Sequence, residues 1–260
     1  MNKQKRITSA TYFSKANQMQ YLGASQFKDF MQCEAAALAK VRGEYTPAPT
    51  TALLVGSYVD AYFEGKLDKF EQAHPDIFTQ TGELKSQYKQ ANNIISRAER
   101  DALFMRYMSG KKQVIKTGVI ANVPFKSKID SYHPGKCIVD LKVMKDFAPV
   151  WKAGQGHLNF IQAWGYDIQG AIYQAIEGNH LPFYIAAITK EPEPDLNVYH
   201  IPQPYLDTAL ELVAEYAPRF QAIKYGKIEP NRCGKCDYCK HTKVLTEIVS
   251  LEDLEYEYDG

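Results

Sequence analysis

Apolar and polar residues alternate over 123–132, VPFKSKIDSY, and a denser apolar run, CIVDLKV, follows at 137–143. Both read as β-strands, and His133-Pro134-Gly135 between them is a turn signal, so the pair forms a hairpin. A strand over 112–122 precedes it, giving a meander of 112–122, 123–132 and 136–144, and two further strands fall at 183–190 and 197–201. Helical periodicity covers 25–39, with Ser25 as N-cap and Phe27, Phe30, Met31 and Ala35 along it. It returns over 51–65, 159–178 and 204–225, and over 85–107 as one long amphipathic helix burying Ile94, Ile95, Ala98, Leu103 and Met105. Pro47 and Pro49 make 44–50 a loop, and residues 1–21, polar and without period, read as a flexible arm. The order predicts a mixed α/β (α+β) domain with a central mixed β-sheet flanked by helices.

Composition changes this picture little. The chain has 260 residues, 45% of them hydrophobic, and a net charge of +1. It can bury a sizeable core, but whole-molecule charge does not announce a nucleic-acid partner. Such a grip would have to come from local groups such as Lys3, Lys5, Arg6 and Lys15 in the arm, or Lys89, Arg97, Arg100 and Arg106 on the long helix. No apolar run approaches the roughly 20 residues needed to cross a bilayer, and the basic start lacks the apolar stretch of a signal peptide. The expectation is a cytoplasmic protein without a membrane partner, whose five cysteines are thiols or metal ligands rather than disulfides.

Two residues interrupt the second hairpin strand, Asp140 and Lys142. Two apart on a strand, they share a face, and Asp130 on the partner strand can be brought beside them. Carboxylates converging in an interior repel each other and need a cation between them. Mg²⁺ (or Mn²⁺) suits oxygen donors, and a lysine beside it could hold an attacking water. Asp130, Asp140 and Lys142 are thus a candidate metal-activated phosphodiester-hydrolysing site. A surface hairpin with a cross-strand ion pair is the plain alternative.

Asp130 followed by Asp140-Leu141-Lys142 resembles the signature of the PD-(D/E)XK nuclease superfamily, with Ile129 where the family's proline stands. Gln169 and Tyr173, four apart on one helix face, resemble the Q-x-x-x-Y motif of its RecB-like branch. The nearest likeness is to RecE-type (exonuclease VIII) enzymes of phages and prophages, over residues 22–243. The resemblance implies the PD-(D/E)XK nuclease fold, with Asp130 and Asp140 on Mg²⁺, the Leu141 carbonyl in the shell, and Lys142 orienting water and stabilising charge. Gln169 and Tyr173 would position Lys142 and the strand being cut. It further implies an exonuclease resecting linear double-stranded DNA 5′ to 3′ for recombination, a RecT-like single-strand annealing partner and a tetrameric ring. Where the branch carries G-x-x-x-H, this chain has Gly56 to Asp60, and a carboxylate can serve Mg²⁺ as a third ligand.

Cys233, Cys236 and Cys239 form a C-x-x-C-x-x-C run in a turn-rich loop at 230–243, able to grip one metal centre. RecB-like nucleases with an iron–sulfur cluster take a fourth cysteine from an N-terminal helix, which Cys33 resembles. The implied ligand set is Cys33, Cys233, Cys236 and Cys239 around a [4Fe–4S] cluster, with Zn²⁺ as the alternative and His241 as a rival fourth ligand. Cys137 reads as a small core residue. From 244 onwards Glu247, Glu252, Asp253, Glu255, Glu257 and Asp259 make an acidic tail, a solvated end or a docking segment. A CRISPR-associated iron–sulfur nuclease shares the four-cysteine plan, and a DNA-binding or assembly subunit with a degenerate site is the non-enzymatic reading.

Overall fold

The structure is a computed structural model describing residues 6–246, 248, 250 and 251. Lys3, Lys5 and the tail acids Glu247, Glu252, Asp253, Glu255, Glu257 and Asp259 lie outside the described residues. Helices α1 (Lys15–Gln20), α2 (Ala24–Gln32), α3 (Glu34–Arg42), α4 (Thr51–Phe63), α5 (Leu67–Ala73), α6 (Gln90–Glu99) and α7 (Ala102–Met108) come first. Then follow β1 (Lys111–Ile120), β2 (Val123–His133), β3 (Cys137–Met144), a small hairpin of β4 (Val150–Lys152) and β5 (Gly156–Leu158), α8 (Phe160–Ala163) and α9 (Tyr166–Glu177). The chain closes with β6 (Phe183–Thr189), β7 (Leu196–Ile201), α10 (Gln203–Lys224) and α11 (Asp237–His241).

Five strands form one mixed sheet in the order β1-β2-β3-β6-β7, antiparallel throughout except for the parallel β3–β6 pair. Parallel neighbours need a crossover, and α9 supplies it. One sheet face packs on α2, α3, α9 and α10 through Phe27, Phe30, Phe125, Ile138, Phe183 and Phe220. The other packs on α4, α6 and α7 through Val59, Ile94, Phe104, Val139, Leu141 and Ile188. The expected mixed α/β architecture is thus present as three layers. Among the described residues no helix is long and apolar enough to cross a membrane.

Three expected helices differ in detail. The helix at 25–39 is two, α2 and α3, broken at Cys33, whose extended backbone (φ −162°, ψ 108°) ends one and opens the next; Gly23, not Ser25, is the N-cap. The helix at 85–107 breaks at Asp101, whose carboxylate accepts from the Phe104 amide at 2.8 Å and caps a new helix. That restart shifts the helical phase, so Phe104 and Met108 are buried while Leu103 is exposed and Met105 half-buried. The helix at 159–178 is interrupted at Gly165, which adopts the left-handed conformation (φ 62°). Trp164 is consequently exposed, whereas Tyr173 is buried.

The N-terminal segment is not a loose arm over its described part. Ile7, Tyr12 and Tyr21 are buried, and two fully buried lysines reach out to hold the segment as a strap. Lys126 of β2 donates to the Tyr12 carbonyl (2.5 Å) and Gln18 (2.8 Å), and Lys224 of α10 to the Tyr21 carbonyl (2.8 Å) and Gln26 (2.9 Å). Arg6 and Lys15 remain exposed. These polar anchors are invisible to hydrophobic periodicity, which is why the segment read as unstructured.

Candidate active site

The β2–β3 ladder runs from His133↔Cys137 to Ser131↔Val139 and stops there. Continued one step, it would set Asp130 directly against Asp140, two carboxylates face to face. The strands part instead. The Leu141 amide, which an unbroken ladder would spend on the β2 backbone, donates to Asp130 Oδ2 at 3.0 Å. On its other side Asp130 Oδ1 accepts from Gln113 Nε2 at 3.0 Å. Gln113 is also the one step that the β1–β2 register skips, between Lys112↔Ser131 and Val114↔Ile129. Its φ of 52° is a left-handed conformation that a non-glycine residue holds only when its surroundings enforce it. The sheet is therefore distorted on both sides of Asp130, and a cleft of about 550 Å³ opens there.

Asp140 is buried on β3, on the sheet face that α9 covers. Gly170 lets that helix lie close, since a Cβ there would stand 2.5 Å from the Phe183 ring. From α9, Gln169 Nε2 donates to Asp140 Oδ1 at 2.5 Å and to the Tyr173 hydroxyl at 3.2 Å. The Tyr173 hydroxyl in turn donates to the Lys128 carbonyl of β2 at 3.1 Å. The Q-x-x-x-Y pair thus fastens Asp140 and β2 directly, and touches Lys142 only through Asp140. The other Asp140 oxygen faces the Lys142 ammonium.

Electrostatics follow from this crowding. Burial would push the Lys142 ammonium down, but Asp140 and Asp130 outweigh it and hold its pKa above the ordinary lysine value. Lys142 is accordingly held in its charged form beside Asp140. Asp130 is pushed well above the carboxylate range, by burial first and then by the Asp140 and Asp60 charges. Asp60, on α4 at the cleft wall, is open to solvent yet ringed by protein. That ring, with the Asp140 and Glu64 charges, raises it to about 7 against the pull of Lys142 and Lys128. Asp60 and Asp130, both raised in this way and sharing one cleft with Asp140, are oxygen donors suited to a hard divalent cation. Asp60, Asp130, Asp140 and Leu141 all line the cleft.

The cleft holds residues the sequence reading passed over. Glu64, one helical turn after Asp60, pairs with Lys66 (2.9 Å) and Lys128 (3.5 Å); the i, i+4 spacing was the available signal. Gln113 had none, because its role depends on a register slip. Tyr12 and Phe13 reach the cleft only because the strap carries them there. Lys89, Arg97, Arg100 and Arg106 line none of it.

The second expected centre is closed. Sulfur atoms of Cys33, Cys233, Cys236 and Cys239 all lie within 4.8 Å of one another, the only such ligand group among the described residues. Cys33 and Cys239 sulfurs are 3.6 Å apart across 206 residues of sequence, and Cys233 and Cys239 4.0 Å. His241 is outside the group, and Cys137 sits half-buried against the second core. The Cys236 amide donates to Cys233 Sγ at 3.3 Å and draws that thiol down to about 6, while burial pushes Cys236 up to about 12. Four sulfurs this close cannot all ionise without a cation among them, so the set fits a bound metal. Glu34 fixes the loop to α3: it accepts from Arg219 at 2.7 and 2.8 Å and from the Asn231 amide at 2.7 Å.

Residues 23–242 match the family model described as a PDDEXK-like domain of unknown function (DUF3799). The chain belongs to this family. A crystal structure from Eubacterium rectale, of a protein provisionally described as an exonuclease, superposes with a TM-score of 0.91 at 47% identity. The match covers 96% of this chain and 98% of that one. No curated protein matches. Family and fold support a nuclease of the PD-(D/E)XK superfamily, and the match from 23 to 242 spans both the carboxylate cleft and the thiol cluster.

Proposed function

We propose that this PDDEXK-like protein is a Mg²⁺-dependent (or Mn²⁺-dependent) deoxyribonuclease that hydrolyses phosphodiester bonds at the cleft. The observation that carries the reading is Asp140, buried between the Lys142 ammonium and the Gln169 amide, in the same cleft as Asp130 and Asp60. Asp60, Asp130, Asp140 and the Leu141 carbonyl would hold the ion, which when bound supplies charge neutralisation and a more acidic water. Lys142 keeps its proton and offers positive charge and N–H donors to the phosphate as a water oxygen adds to phosphorus and the leaving oxygen departs. Gln169 holds Asp140 in one orientation, and Tyr173 ties that amide to β2, so neither acidic group has to reorganise during the reaction.

The finer reading rests on the sequence resemblance: a RecE-like exonuclease taking linear double-stranded DNA, resecting 5′ to 3′ as a homo-oligomer, and passing the exposed strand to a RecT-like annealing partner. At the thiol cluster the four sulfurs, all within 4.8 Å of one another, would hold either a [4Fe–4S] cluster, as the resemblance implies, or one tetrahedral Zn²⁺, whose bonds of about 2.3 Å put sulfurs about 3.8 Å apart; metal analysis separates the two. The deciding experiment incubates purified protein with linear duplex DNA, with and without Mg²⁺ or Mn²⁺. Metal-dependent release of nucleotides from ends supports an exonuclease; cutting of closed circles makes it an endonuclease, and no cleavage with either metal removes the reading.

A further inference from the structure

The chain has two tryptophans, and both are exposed, Trp151 by 44% and Trp164 by 46%. Trp164 stands where Gly165 breaks the helix. A Cβ on Gly165 would lie 2.9 Å from Lys28 Cδ, so glycine there also makes room for that lysine. The Lys28 ammonium donates to the Trp164 carbonyl at 3.1 Å and sits 5.0 Å from the Tyr166 ring. Lys142 approaches the same ring at 5.1 Å, and Lys152 lies 4.8 Å from the Trp164 ring. Cations and aromatic rings thus alternate in an unbroken line, Lys142, Tyr166, Lys28, Trp164 and Lys152, leading out of the carboxylate cleft. Its outer members, Tyr166, Lys28, Trp164 and Lys152, line a neighbouring groove of about 1160 Å³, about twice the cleft's volume, with Asp29 and Asp167 beside Lys28. The α10 side of the groove presents Glu211 and Glu215.

We propose that this groove binds a single, unpaired strand of nucleic acid continuous with the strand at the cleft, a reading that rests on the nuclease assignment above. Lys28 and Lys152 hold its phosphates and the face of Trp164 stacks a base. Aromatic side chains beside cations are the usual platform for unpaired strands, because every base has a face to stack. The acidic α10 wall selects against a duplex, since a second phosphate backbone would have to run along Glu211 and Glu215. One wall takes the backbone and the other refuses a second.

The test uses the full chain as purified, with no Mg²⁺ or Mn²⁺ added so that hydrolysis cannot intervene and the thiol cluster keeps its metal, and with Trp151→Phe making Trp164 the only indole. Titration with an oligothymidylate of about 12 nucleotides, within the site sizes of single-strand grooves, should quench Trp164 fluorescence saturably. A blunt duplex of equal length should bind at least about 10-fold more weakly. By anisotropy of a labelled oligothymidylate, Trp164→Ala should weaken binding by about 10-fold and Trp164→Phe by less, since phenylalanine still stacks. Lys152→Ala should flatten the salt dependence by about 0.7 of a log–log unit for the one phosphate contact removed. Unchanged affinity in both Trp164→Ala and Lys152→Ala, or preferred binding of the duplex, would overturn the proposal. The catalytic reading is checked separately by wild-type hydrolysis of a thymidine 5′-aryl phosphodiester with Mg²⁺. Its failure leaves the binding result standing, and success there with no strand in the groove removes only the groove.

Discussion

The carboxylate cleft and the thiol cluster each gather groups that would suit a cation, and they are assembled in opposite ways. In the cleft the two sheet carboxylates already have protein partners: Asp130 takes two N–H donors, and Asp140 takes an amide and an ammonium. The surrounding sheet and helices hold these groups in position without an ion. The thiol cluster has little of this. Its sulfurs receive backbone amides at 3.3 and 3.4 Å, and what it joins is Cys33 to a loop 206 residues away. An ion in the cleft is therefore a working part that the fold can lose, whereas an ion among the thiols is part of the fold itself.

The sharpest way to break this contrast is at Asp140. Asp140→Asn keeps shape and the site's packing but removes the charge, and should lower Mg²⁺-dependent cleavage by about 10³-fold or more, the scale of losing a principal electrostatic group. Lys142→Ala should do the same. The melting temperature of Asp140→Asn should stay within a few degrees of wild type. A folded Asp140→Asn protein that cuts DNA at the wild-type rate would end the proposed chemistry.

The converse prediction concerns the thiols. Cys33→Ser and Cys236→Ser should each strip the bound metal and destabilise the domain by roughly 3–5 kcal/mol, the scale of a lost cross-link closing a long loop. Cys137→Ser should keep the metal. Elemental analysis with chemical denaturation reads both effects, and distinguishes zinc from an iron-containing brown protein. Full metal retention in Cys33→Ser would reduce the cluster to a local C-terminal site.

Asp60 tests whether the cleft's third carboxylate belongs to the shell. Asp60→Ala should raise the Mg²⁺ concentration for half-maximal activity by about 10-fold, within the range for weakened metal shells, and Asp60→His should recover part of it. An unchanged Mg²⁺ titration would leave Asp60 as a wall residue.

Particular residues show what was legible in the sequence. The meander and the positions of Asp130, Asp140 and Lys142 could be read because alternation and spacing are local. Gln169 and Tyr173 were legible as a pair on one helix face, but not their target, which depends on how close Gly170 lets α9 approach β6. Gln113 was invisible because its role arises from a skipped register step against Asp130. Cys33 was legible as a candidate ligand yet placed inside a helix, since nothing in SQFKDFMQCEAAALAK announces an extended residue between two helical stretches. The exposure of Trp164 was illegible because periodicity carried one helix through Gly165, where the chain breaks it.

The strap adds a third way of holding, by buried protein cations rather than bound ions, and its signature is pH. Burial, and then the neighbouring Lys126 charge, depress Lys224 to about 7, and burial depresses Lys126 to about 8. Unfolded lysines titrate near 10.4. Between about pH 7 and 10 the unfolded chain therefore binds more protons than the folded one, so stability rises with pH across that window. Below pH 7 both states are protonated and the cost of the buried charges is felt in full. Buried Tyr12 and Tyr173, raised mainly by burial, act with the opposite sign but only above the ordinary tyrosine range near 10. Urea denaturation of the protein as purified should accordingly show a gain on the order of 1 kcal/mol from pH 7 to 9. Lys224→Met leaves the Tyr21 carbonyl and Gln26 without their donor, so its absolute stability is not the readout. The slope is: it should flatten in Lys224→Met and flatten less in Lys126→Met, whose depression is smaller. Parallel slopes in wild type and Lys224→Met would mean that the strap is held by a lysine as easily charged as one in water.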